Sequence, residues 1–268
     1  MLKQSDDFYE ECLNTYDILK NIPEKNLKTL TQFKSWSFED IIRHLHVWNI
    51  AAYKSLLGQN EWDKFNIELQ TFFKKRLKLI DFEKSFTNDI KGKDLLNLWY
   101  NTFKKVSNIF RQEHPKKRVK WVGPDMSVLS SISARHMETW AHSQAIYDTL
   151  GKKRENKDRI LNIVIIGNNT FEWTFKVNKK EIPINKPYLK LFSPSGKIWE
   201  FNDLQNSNKI EGLAEEFCQV VTQVRNIKDV NLKINGNIAT KWMSIAQCFA
   251  GKASSPPKPG VRKLIKQK

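Results

Sequence analysis

The stretch Arg135-His-Met-Glu-Thr-Trp-Ala-His142 sets a carboxylate and an imidazole four residues apart, at Glu138 and His142. On a helix, residues i and i+4 lie about one turn apart on the same face, so both side chains can close on one ion. A metal needs a further protein donor. The best placed is His44, in Asp40-Ile-Ile-Arg-His-Leu-His46 on an earlier helical segment. Two facing helices would then supply His44, Glu138 and His142, which is how helical bundles build metal sites in their interiors. The same spacing also occurs as an ordinary polar pair on solvated helix faces, and His44 reads equally well as a core histidine satisfied by a polar neighbour. Spacing alone leaves both readings open.

Helix geometry sorts the remaining histidines. Residues two apart are separated by about 200° around the axis, so His46 points away from His44, and His136 away from Glu138. Glu138 and His142 share their band with Arg135, Ala141 and Ala145, whose small members leave room between helices.

Outward from these segments, the first half of the chain keeps a helical period. Phe8, Cys12, Tyr16 and Leu19 recur every three or four residues, and Leu96, Trp99, Phe103, Val106 and Phe110 make a stripe. Ser37 with Asp40 has the form of a capping box opening the second helix, which Gly58 is placed to close. Gly123-Pro124-Asp125 breaks the chain before the Glu138 helix, and Gly151 would end it. A further helix around Trp62 to Leu77 fits the long connection after the second helix. Four principal helices plus this insertion predict a bundle over residues 1–151.

After the polar linker Lys152 to Asp158, the pattern predicts strands at Ile160–Ile166 and Phe171–Val177, separated by Gly167-Asn-Asn, then at Tyr188–Phe192 and Ile198–Phe201. Helices return at Leu213–Arg225 and Thr240–Ala250, with a short strand at Val230–Ile234. The fold class is therefore α+β: a four-helix bundle followed by a small α+β domain over 159–251. Residues 252–268, with Ser254-Ser-Pro-Pro-Lys-Pro-Gly and a basic end, are expected to form a disordered tail.

Composition narrows the function classes. Hydrophobic residues make up 40% of the 268, enough for packed cores. No stretch approaches the roughly 20 apolar residues that span a bilayer, and the N-terminus carries no apolar signal core, so a cytoplasmic protein without a membrane partner is expected. The three cysteines, Cys12, Cys218 and Cys248, are far apart and form no Cys-x-x-Cys pair, so neither a disulfide framework nor a thiolate zinc site is indicated. The net charge of +16 is spread through every segment rather than clustered, and no nucleic-acid-binding motif accompanies it. Oligomeric state leaves no mark on the sequence.

The segment Trp36-Ser-Phe-Glu-Asp-Ile-Ile-Arg-His44-Leu, then Gly123-Pro-Asp-Met-Ser, then Arg135 through His142, resembles the metal-binding domain of mycothiol-dependent maleylpyruvate isomerases, within the DinB-like helical superfamily. The resemblance implies an up-down-down-up four-helix bundle in which His44, Glu138 and His142 bind a divalent metal, usually zinc. It extends to Glu215–Arg225 and Trp242–Gly251, which look like the second domain of a two-domain branch. Those segments differ from the ones associated with the maleylpyruvate enzyme itself, so its substrate is not carried over.

The chemistry implied is thiol-dependent. Three protein ligands leave zinc an open position, where it can lower the pKa of a low-molecular-weight thiol such as mycothiol, or of water. A thiolate can add to an electrophilic double bond and leave, giving isomerisation, or remain, giving S-transfer. Arg225 is a candidate anchor for a substrate carboxylate, because guanidinium binds carboxylates bidentately, and Arg135 is a second. The alternative is a non-catalytic, metal-stabilised module holding a hydrophobic ligand or protein partner, motivated by the nine tryptophans.

Overall fold

The computed structural model describes residues 1–266. It divides into two compact units, the first ending at Ile146 and the second beginning at Tyr147.

The first unit is built from α1 (Lys3–Lys20), α2 (Phe38–Leu57), α3 (Gln59–Lys74), α4 (Leu79–Phe86), α5 (Gly92–Gln112) and α6 (Val128–Thr149). Long-range hydrogen bonds fix the direction of its four long helices. Ser107 Oγ donates to the Ser5 carbonyl at 2.9 Å, and Lys93 Nζ donates to that of Leu19 at 3.0 Å, so α1 and α5 run antiparallel. The Gly92 N–H donates to Glu39 Oε1 at 3.0 Å, while Lys105 lies over the Tyr53 ring at the other end, so α2 and α5 run parallel. Arg135 Nε donates to Asn49 Oδ1 at 3.1 Å and Glu138 faces His44, which sets α6 antiparallel to α2. The order is up-down-down-up.

The ends of α2 follow the sequence. Ser37 Oγ accepts from the Asp40 N–H at 3.1 Å, and Asp40 Oδ2 accepts from the Ser37 N–H at 3.0 Å, completing the capping box. At the end of α6, Gly151 sits at φ 62° and the Lys152 N–H returns to the Tyr147 carbonyl, closing the helix with a left-handed glycine.

Helix α4 is absent from the sequence reading. It is short, and its apolar residues pack into an aromatic cluster with Trp48, Trp62, Phe65, Leu69 and Trp121. Phe82 is fully buried there, 5.8 Å from the Phe65 ring and 5.4 Å from Phe72. Arg43 secures the end of α4 by donating to Thr87 and, at 2.7 Å, to the Ile90 carbonyl. A two-stranded hairpin, β1 (Arg118–Val119) with β2 (Met126–Ser127), precedes α6.

The second unit contains α7 (Leu161–Asn169), α8 (Phe171–Val177), β3 (Tyr188–Phe192), β4 (Ile198–Phe201), β5 (Lys209–Leu213), α9 (Ala214–Val221), β6 (Lys233–Asn235) and α10 (Asn237–Ile245). The sheet order is β4-β3-β5-β6. Strand β3 pairs antiparallel with β4 and parallel with β5, and β5 pairs antiparallel with β6.

Two predicted strands are helices. Ile160–Ile166 and Phe171–Val177 are apolar runs too short for their length to decide between buried strand and buried helix. Their burial shows the helical period: Ile160, Ile163, Val164 and Gly167 are buried, as are Phe171, Thr174 and Phe175. Gly167 is not a turn residue. It faces α9, where a Cβ would stand 2.9 Å from both Phe217 and Val221, so glycine permits the close approach of α7 to α9. Strand β5 lies in a polar stretch with little alternation and went unpredicted; the helix expected from Leu213 begins only at Ala214.

Among the described residues, the segment beyond residue 251 has no helix or strand but is held down, contrary to the expected disorder. Gln223 Nε2 donates to the Ser254 carbonyl, Asn226 Nδ2 to that of Pro257 and Arg262 to that of Gln223. The Ile265 N–H donates to the Asp148 carbonyl. Polar side chains thus supply the ordering contacts that the tail's low apolar content cannot. Positions 267 and 268 lie outside the described residues. Among the described residues, no helix is long and apolar enough to cross a membrane.

Candidate metal centre

The antiparallel α2 and α6 bring His44, Glu138 and His142 together, with one donor atom of each lying within 4.8 Å of the others. His142 Nε2 is 3.1 Å and His44 Nε2 3.8 Å from Glu138 Oε2. These separations bracket the roughly 3.4 Å edge of a tetrahedron with bonds of about 2.1 Å, the usual length for zinc with nitrogen or oxygen donors. The side chains of Glu138 and His142 are 23% and 14% exposed. The vertex is therefore reachable from solvent, and three donors leave a fourth position for a ligand.

The sequence did not reveal Glu83. This residue of α4 is fully buried, and its Oε1 lies 2.7 Å from His44 Nδ1 while accepting from Trp48 Nε1–H at 3.0 Å. A carboxylate on Nδ1 fixes the imidazole so that Nε2 faces Glu138 and His142, the arrangement by which outer carboxylates orient and strengthen histidine ligands. Glu83 is 39 residues from His44 in sequence, on a helix without a long periodic stripe. Only the packing of α4 onto α2 delivers it.

Electrostatics agree with this geometry. Burial opposes a charged His44, but the Glu83 carboxylate and then Glu138 outweigh it and hold its pKa up at about 9. For Glu138, burial is overcome by hydrogen bonds from His142 and His44, keeping the carboxyl well below its usual range. Burial and the neighbouring His44 charge push His142 down. In the metal-free centre, then, an ionised carboxylate sits between one protonated and one neutral imidazole.

Aromatic rings wall the centre. Phe33 meets His142 edge-on at 4.9 Å, and Trp36 stacks against it at 6.0 Å and lies 5.3 Å from His44. Trp36 is only half-buried and belongs to this wall.

The two arginines are engaged elsewhere. Arg135 is buried beneath the centre with its Nε on Asn49, and burial lowers its pKa. Its exposure of 2% leaves no face for a substrate. Arg225 forms a bidentate pair with Asp148, at 2.8 and 2.6 Å, inside the second unit. Its guanidinium fork is already filled by a carboxylate of this chain, which corrects the expectation of an open anion anchor. His46 and His136 point away from the donors as helix geometry requires: His46 is buried with its pKa pushed to about 4 by burial and then by Arg43, and His136 faces Glu11 at 3.7 Å. The buried Cys12 and Cys218 have their thiol pKa values pushed up by burial, so neither is an activated nucleophile.

Comparison with known proteins places this geometry. Two uncharacterised proteins, from two strains of Mycobacterium tuberculosis, are each 36% identical over 135 residues, covering 50% of this chain and 52% of theirs. The chain thus spans about half the length of the curated relatives it matches. Crystal structures of the mycothiol-dependent maleylpyruvate isomerase and of a histidine-to-alanine mutant superpose with TM-scores of 0.50 and 0.51 at 10% and 11% identity. Each covers 81% of this chain and 87% of the other, a likeness of fold. The family model described as the mycothiol maleylpyruvate isomerase N-terminal domain matches residues 9–147, which contain all three donors and Glu83. With more than half of its length inside that match, the chain belongs to the mycothiol maleylpyruvate isomerase N-terminal domain family.

Proposed function

We propose that this protein is a metal-dependent enzyme that uses a small thiol to isomerise, or transfer sulfur to, a small electrophilic substrate bearing a carboxylate. The observation that carries this reading is the convergence of His44, Glu138 and His142 on an accessible vertex, with the far nitrogen of His44 held by a buried carboxylate. The donor set of two imidazoles and one carboxylate suits zinc. When bound, zinc would act as a Lewis acid that lowers the pKa of a thiol at the open position. His44 Nε2, Glu138 and one ring nitrogen of His142 would hold the ion. Glu83 keeps the His44 tautomer, and the Phe33 and Trp36 rings restrict water around the open position. Mycothiol is the thiol that the solved structures' names point to, and an unsaturated keto acid of the maleylpyruvate type is the corresponding substrate class.

The rival reading of a hydrophobic-ligand module rested on aromatic richness. Much of that richness is packing: Trp99, Trp140 and Trp242 are fully buried, and Trp62 stacks on Trp121 at 5.8 Å. The test is turnover by the zinc-loaded protein with mycothiol and maleylpyruvate, followed by a panel of other thiols and unsaturated acids. Thiol-dependent consumption of substrate that His44→Ala abolishes without unfolding the protein supports the reading. No thiol consumption or binding by fully loaded protein would refute it.

A further inference from the structure

A buried positive charge lies beneath the three donors. Arg135 precedes Glu138 by three residues on α6, so the two side chains are neighbours on one helix face, with Cβ atoms about 5–6 Å apart. Arginine is almost never buried without a paired carboxylate, yet Arg135 is 2% exposed and its Nε donates, at 3.1 Å, to the neutral amide of Asn49 on α2. Its Nη2 has no hydrogen-bond partner among the described residues, and neither has Nδ2 of the fully buried Asn49. The hydrogen bond to Asn49 therefore holds the guanidinium in place without cancelling its charge. Burial works against that charge, and the nearby carboxylates of Glu138 and Glu83 work for it.

The formal charges around the vertex then decide which ligand suits it. Glu138 of α6 and Glu83 of α4 each bring one negative charge. His142 is a neutral donor, and His44 is another once its Nε2 serves an ion while its Nδ1–H serves Glu83. One turn before His44, Asp40 is matched by Lys84 at 3.8 Å. Cys12 of α1, near Arg135, stays a neutral thiol because burial pushes its pKa up. Lys34 is exposed, so solvent screens it. With a divalent ion balanced by the two carboxylates, the Arg135 guanidinium is left as one positive charge in excess. A neutral fourth ligand leaves that charge unbalanced, whereas a monoanion balances it, and burial keeps the attraction strong.

We propose that Arg135, held by Asn49, makes the open position of the three-donor centre select a monoanionic ligand such as a thiolate over a neutral one. Arg135 is a positioning residue in this role: buried beneath the centre, it acts through its field on whatever occupies the fourth position. Asn49 matters because it is neutral, since an aspartate in its place would keep the hydrogen bond and cancel the charge. This role rests on the metal reading above and names the charge of the ligand that the centre selects.

The test is ligand choice by cobalt-loaded protein, read from the visible absorption of the bound cobalt, with metal content measured after each titration. Thiocyanate is the monoanion and imidazole the neutral ligand. Asn49→Asp should weaken thiocyanate binding roughly tenfold and leave imidazole affinity and cobalt content unchanged. Arg135→Met should act in the same direction, while Arg135→Lys, which keeps the charge, should retain most of the thiocyanate affinity. If Arg135→Met does not fold, Asn49→Asp and Arg135→Lys decide. Equal weakening of both ligands, or no change in either, overturns the role while the metal reading stands, as does a cobalt-loaded wild type that binds neither ligand. A wild type that takes up neither cobalt nor zinc overturns both.

Discussion

Replacing Glu83 by glutamine tests the least conspicuous part of the centre. The carboxylate oxygen that lies 2.7 Å from His44 Nδ1 also accepts from Trp48 Nε1–H. An amide oxygen has two lone pairs and can keep both contacts, but the new NH2 group takes the place of the buried Oε2, which has no hydrogen-bond partner among the described residues. The folded protein should therefore lose about 1–3 kcal/mol, the cost of an unsatisfied buried donor. Loss of the charge weakens His44 as a donor and frees its ring to turn, which should lower zinc affinity by about 10–100-fold, or roughly 1.4–2.8 kcal/mol. The assay is competition for zinc with a chelator of known affinity, beside a thermal melt of the metal-free protein. A second signature follows from pH. In the metal-free wild type, the raised His44 pKa means that its pairing with Glu83 stabilises the fold fully below pH 6.5 and is lost as pH rises through about 9. That difference is worth roughly 3 kcal/mol. Glu83→Gln should flatten this decline. Zinc affinity within twofold of wild type, with the alkaline slope intact, would refute the positioning role.

Other consequences follow from named contacts. His46 is held neutral with its pKa near 4, so the stability it contributes is present above pH 6.5 and is lost as pH falls toward 4; His46→Phe should flatten an acid-side loss of roughly 3 kcal/mol in denaturant melts. Gly167→Ala should destabilise the second unit by about 1–3 kcal/mol, because the added Cβ meets Phe217 and Val221 at 2.9 Å; a melt unchanged within error would deny the close α7–α9 approach. Arg225→Ala should cost about 1–3 kcal/mol by removing the bidentate partner of the buried Asp148. The double change with Asp148→Asn should recover part of that, which a pure anion-anchor role would not produce.

The bundle was legible because its signals are local. The Ser37–Asp40 cap, the Leu96–Phe110 stripe and Gly151 each act within a few residues of themselves, and the structure keeps all three. The three donors could be named because helix periodicity puts Glu138 and His142 on one face and turns His46 away from His44. Glu83 and the Phe33–Trp36 wall were not legible: their roles depend on how α4 and a turn pack onto α2, and neither has a sequence period. The second unit was read less well, since runs such as Ile160–Ile166 satisfy strand and helix patterns alike until their partners are known. Arg225 shows the limit of residue chemistry alone, for a guanidinium suited to a substrate carboxylate is equally suited to Asp148 of its own unit.

The central claim is that His44, Glu138 and His142 hold one metal ion. Metal content of the purified protein by mass spectrometry, for wild type beside His44→Ala and His142→Ala, tests it most directly. The account predicts about one zinc per chain in the wild type and its loss in both variants, with the helical fold retained. A wild type that carries no metal and takes up none when zinc is added, or variants that bind zinc as the wild type does, would contradict it.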